Sequence, residues 1–308
     1  MRAPKDPLLV AKLRADLTTF HQQHFALDGI QTPAAMDCLL LQIEDSIRRI
    51  QYVKTVASKP HHANAANPHL AGFNPLNAAA YHLASGNVDE AGWLIFLATH
   101  FGKNLRTEWK LVQAVYGGLG AQIWDWPTVC AAPNLMGQWI DANQVPLKAQ
   151  GHFSNHRKYE SLKYRITGGA INSYIDWIGP NHSHILKFAQ IEPVNATPKI
   201  RFKAFYRATR QLYRFARMGQ FDLLTMMGKM AIVDIEPDSV YMQGASGPVT
   251  GAKLLFGNDK NANISRVVLE QRLGQLEAHL GLTFGMQVLE DALCNWQKSP
   301  SLYRYFKG

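Results

Sequence analysis

The stretch Tyr241-Met242-Gln243-Gly244-Ala245-Ser246-Gly247-Pro248-Val249-Thr250-Gly251-Ala252-Lys253 carries residue types with which a backbone binds phosphate. Glycine permits the positive φ of a tight turn, and proline at a first helical position is pre-set for a helix start. A short helix from Pro237 that breaks at Gly244 and restarts at Pro248 would present free N–H groups beside Ser246 and Gly247. Such groups hold an anion without a charged side chain. Thr250 and Lys253, early in the new helix, would add a hydroxyl and a positive charge. An ordinary helix end followed by a tight turn uses the same residues.

Two further groups of residues suit a polyanion and a base. From Lys199 to Arg217 there are seven Lys or Arg and no acid. Arg207, Arg210, Arg214 and Arg217 recur at helical spacing, opposite a stripe of Phe205, Ala208, Leu212 and Phe215. A basic helix over 200–218 that tracks phosphates is one reading, and a solvated helix face is the other. Asn155, His156, Arg157 and Glu160 fall within a turn and a half and could read polar substituents of a base. A helix start facing solvent explains them as well.

Composition narrows the class. The 308 residues are 47% hydrophobic with a formal charge of +9, enough for a sizeable core and suited to a polyanionic partner. No apolar run reaches the roughly 18–20 residues of a membrane span. The charged N-terminal stretch is unlike a signal peptide. Three scattered cysteines, Cys38, Cys130 and Cys294, argue for a reducing compartment. A soluble, cytoplasmic protein with no obligate protein partner is expected.

The elements that must position these residues read as all-α. Two helices are expected over 7–56 and a loop over 57–76. Helices follow at Pro75–Leu83, Val88–Phe101 and Leu105–Tyr116, then a short one from Pro127 through Trp139. Ser154–Tyr164, Gly168–Ile178 and Ser183–Phe188 read as short helical segments. The basic helix and a buried helix at Phe221–Met230 follow. Only Ala231–Ile235 is β-like. An N-terminal helical extension, 1–76, would precede a catalytic region, 77–308.

Several strings resemble a known family. They are Trp93-Leu94-Ile95-Phe96-Leu97-Ala98-Thr99-His100-Phe101-Gly102-Lys103, Asn155-His156-Arg157-Lys158-Tyr159-Glu160-Ser161-Leu162, Phe221-Asp222-Leu223-Leu224, Gly244-Ala245-Ser246-Gly247-Pro248 and Leu289-Glu290-Asp291-Ala292-Leu293-Cys294-Asn295-Trp296. From about residue 80 onward the chain resembles the alpha-glutamyl/putrescinyl thymine pyrophosphorylases, clade 3. The helical core of that family is similar to helix–hairpin–helix DNA glycosylases. The resemblance implies a two-lobed helical bundle with a cleft, and a substrate of double-stranded DNA containing modified bases, extruded for reaction. The turn here is Gly-x-x-Gly, one residue longer than the glycosylase Gly-x-Gly. Val249 stands where bifunctional glycosylases carry a Schiff-base lysine, so a covalent lyase step lacks its nucleophile.

In such glycosylases an Asp at a helix start after the hairpin stabilises positive charge on the departing sugar. The resemblance carries this role to Asp291, expected to open an apolar helix, with Glu290, Asp259 and Asp222 behind it in that order. An insertion over 258–285 must then be assumed. Tyr159, Tyr174, Trp177, Trp124 and Trp126 supply candidate walls for an extruded base, with Asn155, His156, Arg157, Glu160 and Asp222 as polar neighbours.

Other chemistries lack their residues. His61-His62 and His182-x-His184 have no acid or cysteine at zinc spacing, and no P-loop or Gly-x-Ser-x-Gly string occurs. No cofactor is expected. The reading expected from sequence is a monofunctional glycosylase that excises a bulky hypermodified pyrimidine from phage DNA, an antiviral role. The alternatives are a base-hypermodification enzyme acting on a pyrophosphate-activated thymine substituent, and a non-catalytic DNA-binding module.

Overall fold

The computed structural model describes residues 2–306. Among these residues fifteen α-helices form and no strand does; Ala231–Ile235 is irregular. The chain divides into two compact units, one built from residues up to 52 together with 237–306, the other from 53–236. These units do not follow the 1–76 and 77–308 partition.

The first unit opens with α1 (Pro7–Gln23), where Asp6 accepts from the Leu9 N–H at 3.0 Å and Pro7 fits the first turn. Most of α2 (Pro33–Ser58) follows. The second unit holds α3 (Pro75–Ala84), α4 (Val88–Phe101), α5 (Lys110–Tyr116), α6 (Trp126–Ala131), α7 (Pro133–Ala142), α8 (Gln144–Gln150), α9 (Gly169–Ile178), α10 (His184–Ile191), α11 (Pro198–Ala208) and α12 (Arg217–Lys229). The chain then returns to the first unit with α13 (Gly247–Gly257), α14 (Arg266–Leu280) and α15 (Gly285–Trp296).

In the first unit, Leu13, Leu17, Phe20, Leu39, Ile43, Leu255, Leu276 and Leu289 share one apolar core. There α13 closes on α15 through glycines. A Cβ at Gly251 would stand 2.4 Å from the Leu293 carbonyl oxygen, and one at Gly247 2.5 Å from Cys294 Sγ. In the second unit α4 is buried almost all round, as its continuous apolar run requires. Phe96 stacks on Tyr174 and Phe215, with ring centroids 4.1 and 5.3 Å apart.

Three expected elements fail for identifiable reasons. No helix starts at Pro237. Asp238 and Ser239 instead bond locally, accepting from the Tyr241 hydroxyl at 2.6 Å and the Tyr241 N–H at 3.1 Å, and Tyr241 has φ +50°. The basic helix ends at Ala208, passes through a 3-10 turn at Thr209–Gln211, and reverses at Arg214 before α12. Gln220 donates to the Thr209 carbonyl at 3.2 Å and fixes that end, while Leu212 and Phe215 are buried from the connecting turn. Within Ser154–Tyr164 the chain is irregular except for a 3-10 turn at Asn155–Arg157 and Tyr164, which opens a π-helical turn.

Candidate functional site

In the second unit, the turn after α8 meets the chain reversal between α11 and α12. Arg157 is buried there, its guanidinium 4.7 Å from the Phe215 ring centroid. A Cβ at Gly219 would lie 2.8 Å from its Nη1, so glycine in α12 makes the room. Its Nε donates to the His100 carbonyl at 3.1 Å; its Nη2 donates to His100 Nδ1 and to the Arg214 carbonyl, both at 3.3 Å. With Nδ1 accepting, neutral His100 carries its proton on Nε2 and donates to Thr167 Oγ1 at 3.0 Å. Thr167 donates onward to the Ser161 carbonyl at 2.7 Å. Burial first, then the charges of Arg157 and Arg214, hold His100 well below the usual imidazole range. The chain of bonds therefore has one direction, from Arg157 to Ser161.

Glu160 joins the two arginines. Its Oε2 accepts from Arg214 Nε at 3.0 Å, and its Oε1 accepts from Arg214 Nη2 at 3.3 Å and lies 3.8 Å from Arg157 Nη2. Arg214 makes this pair from φ +66°, a conformation that costs a non-glycine residue about 1–3 kcal/mol. The Glu160 hydrogen bond raises the Arg214 pKa, and desolvation lowers that of Arg157. His156 Nδ1 stands 3.6 Å from Asp222 Oδ2 beside this group.

Next to the cluster lies a cavity of about 500 Å³ lined by Leu111, Lys148, Gly151, His152, Phe153, Lys158, Glu160, Ser161 and Leu162. Gly151 lets the wall close on α5, since a Cβ there would meet the Leu111 nitrogen at 2.7 Å. The only acid in the wall, Glu160, already neutralises arginine, so Lys148 and Lys158 leave the cavity with a positive excess, and His152 adds an imidazole. Leu111, Phe153 and Leu162 supply apolar surface. A flat ring bearing an anionic group fits this combination of volume, lining and charge.

The residues expected from sequence distribute unevenly. His156, Arg157, Glu160, Asp222 and Arg214 come together, and Arg214 does so off the continuous phosphate-tracking helix that its spacing predicts. Tyr159 is exposed at the edge of the cluster, and Asn155 is exposed. Trp177 is buried beneath Lys187, whose Nζ is 5.6 Å from its ring, and is not among the cavity residues. Arg207 and Arg210 are exposed on separate elements, α11 and the 3-10 turn. Lys148, His152, Thr167 and the linking role of His100 were not anticipated. The strings that include His100 and residues 155–162 are the sequence signals that lie near them.

The first unit holds the other candidates. Asp291 is the seventh residue of α15, which begins at Gly285 after left-handed Phe284, so it does not open the helix. Its Oδ2 accepts from Ser46 Oγ at 2.9 Å and lies 3.6 Å from Arg49 Nη2. Arg49 Nη1 is buried without a hydrogen-bond partner. Glu290 is buried, while Asp259 is exposed and accepts from the Asn261 N–H at 2.9 Å. The bend before α13 exposes Gln243, Gly244 and Ser246; Thr250 and Lys253 are half-buried. Gly247 touches Cys294, one turn beyond Asp291 on α15. No spacing in the sequence links Ser46 or Arg49 to Asp291.

Among the described residues no three His, Cys, Asp or Glu side chains converge as metal ligands, and no helix is long and apolar enough to cross a membrane. No curated protein and no solved structure matches the chain. The family model described as alpha-glutamyl/putrescinyl thymine pyrophosphorylase clade 3 matches residues 34–308, and the chain belongs to that family.

Proposed function

We propose that the chain modifies a thymine-derived base in DNA by replacing a pyrophosphate-activated substituent with an amine. The family description supplies the three chemical parts: thymine, an amine-bearing glutamyl or putrescinyl group, and pyrophosphate. The observation that carries the reading is the cavity, whose lysines and histidine suit the anionic leaving group and whose apolar wall suits the base. The amine nitrogen attacks the activated carbon on the base, the C–O bond breaks, and pyrophosphate leaves. The nitrogen gives up one proton. Lys148, Lys158 and His152 stabilise the charge that grows on the leaving oxygen. Arg157, His100 and Thr167 fix the Ser161 wall, and Arg214 fixes Glu160.

The test is pyrophosphate release from DNA carrying the activated thymine, with putrescine or glutamate supplied. Lys148→Ala and Lys158→Ala are each expected to lower kcat/KM by about 100- to 1,000-fold, the range for losing one group that stabilises developing charge. Undiminished release in both variants would reject the cavity as the site.

Excision of the base remains a second reading, supported by one observation. The exposed bend at Gly244–Ser246 leads into α13, where Gly247 rests on Cys294, one turn from Asp291. Asp291, held through Oδ2 by Ser46 and Arg49, would be the carboxylate that stabilises the sugar. In that reading a monofunctional glycosylase excises the hypermodified pyrimidine from double-stranded DNA and leaves an abasic site. Asp291→Asn would then abolish abasic-site formation.

A further inference from the structure

Residues 155–165 and 207–218 carry eight Lys or Arg between them, Arg157, Lys158, Lys163, Arg165, Arg207, Arg210, Arg214 and Arg217, against one acid, Glu160. That acid is already paired with Arg214. The side chains of Lys158, Lys163, Arg165, Arg207 and Arg210 are exposed. Within the same two segments Tyr159 and Tyr213 are 81% and 46% exposed. Both rings stand on anchored backbone. Arg214 Nη2 donates to the Tyr159 carbonyl at 3.4 Å, so a single arginine side chain separates the residue after Tyr213 from Tyr159. The Tyr213 N–H donates to Ser173 Oγ at 3.0 Å. Its ring lies over Gly169, where a Cβ would come 3.1 Å from two ring carbons.

We infer that this surface binds an unpaired stretch of DNA, with its phosphates on the exposed lysines and arginines and its bases stacked on Tyr159 and Tyr213. A duplex shows a protein its phosphates and base edges but hides its base faces. Exposed aromatic rings interleaved with positive charge match a strand whose faces are open. Lys158 and Glu160 belong both to this surface and to the cavity wall, so a strand lying here brings its bases beside the cavity. The choice of DNA as the polyanion rests on the function proposed above; the preference for an unpaired strand rests on the two tyrosines.

Fluorescence anisotropy on the full chain, with a labelled thymine-containing strand of about 12 nucleotides and the matching duplex, tests the inference. The single strand is expected to bind roughly 10-fold tighter or better. Tyr159→Ala and Tyr213→Ala should each weaken it by roughly 5- to 100-fold, the value of one base–aromatic stack, and leave duplex binding unchanged. Tyr159→Phe and Tyr213→Phe should retain wild-type affinity, because stacking uses the ring and not the hydroxyl. Equal or tighter duplex binding, wild-type affinity in both alanine variants, or no binding of either DNA would overturn the inference. Intact strand binding without pyrophosphate release would instead defeat the proposed reaction and leave this surface standing.

Discussion

Glu160 holds Arg214 through both oxygens and approaches Arg157, and the side chains of Glu160 and Arg157 are under a tenth exposed. Removing one partner of a buried pair strands the other charge. Glu160→Gln is therefore expected to lower unfolding free energy by about 3 kcal/mol, read from urea melts; a change within about 0.5 kcal/mol would contradict the pairing. A second buried carboxylate sets a pH dependence. Glu90 accepts from the Tyr116 hydroxyl and the Trp126 N–H, both at 2.7 Å, yet burial outweighs these bonds and pushes its pKa up to about 7. The folded state then binds a proton that the unfolded chain releases near pH 4.5. Stability from this group is fully present below pH 4.5 and is lost as pH rises through about 7. The loss should amount to about 3 kcal/mol across that window, and Glu90→Gln should flatten the curve. At this scale the sequence displayed Asn155, His156, Arg157 and Glu160 as neighbours because they share a turn. It concealed His100 and Arg214, each 57 residues from Arg157, because only tertiary folding joins them.

Helix α13 shows how an element can be legible for the wrong reason. Gly247, Pro248 and Gly251 mark a helix start and a turn, and the helix is there. The glycines, however, also serve contact with α15. Gly251→Ala would drive a Cβ into the Leu293 carbonyl, backbone that has little room to yield, at an expected cost of about 1–3 kcal/mol in chemical denaturation. Gly247→Ala meets only the Cys294 sulfur, so adding Cys294→Ala should recover most of its loss. No recovery in the double variant would show that Gly247 is needed for its backbone instead. The basic segment misleads in the opposite direction. It has helical charge spacing and neither glycine nor proline between Lys199 and Arg217, yet Gln220 and the buried Leu212 and Phe215 break it. The break is what sends Arg214 to Glu160, a contact that a continuous helix does not provide.

For the whole molecule, helical class follows from the period of the apolar residues, and α4 was bounded from sequence at Val88 and Phe101. The division into units was not legible, because the first unit joins residues up to 52 with 237–306, stretches that no local pattern connects. The expected helix start at Asp291 fails for the same reason: it requires Gly285 to be loop, whereas α15 begins there. Two chemistries, substitution on the base and cleavage of its bond to sugar, remain tied to two different places, the basic cavity of the second unit and the Asp291 face of the first. Mass analysis of nucleosides from DNA carrying pyrophosphate-activated thymine, incubated with the chain and an amine, separates them directly. A thymine nucleoside heavier by the added amine, free pyrophosphate, and no alkali-labile sites are expected. Free base with abasic, alkali-cleaved DNA would contradict substitution on the base.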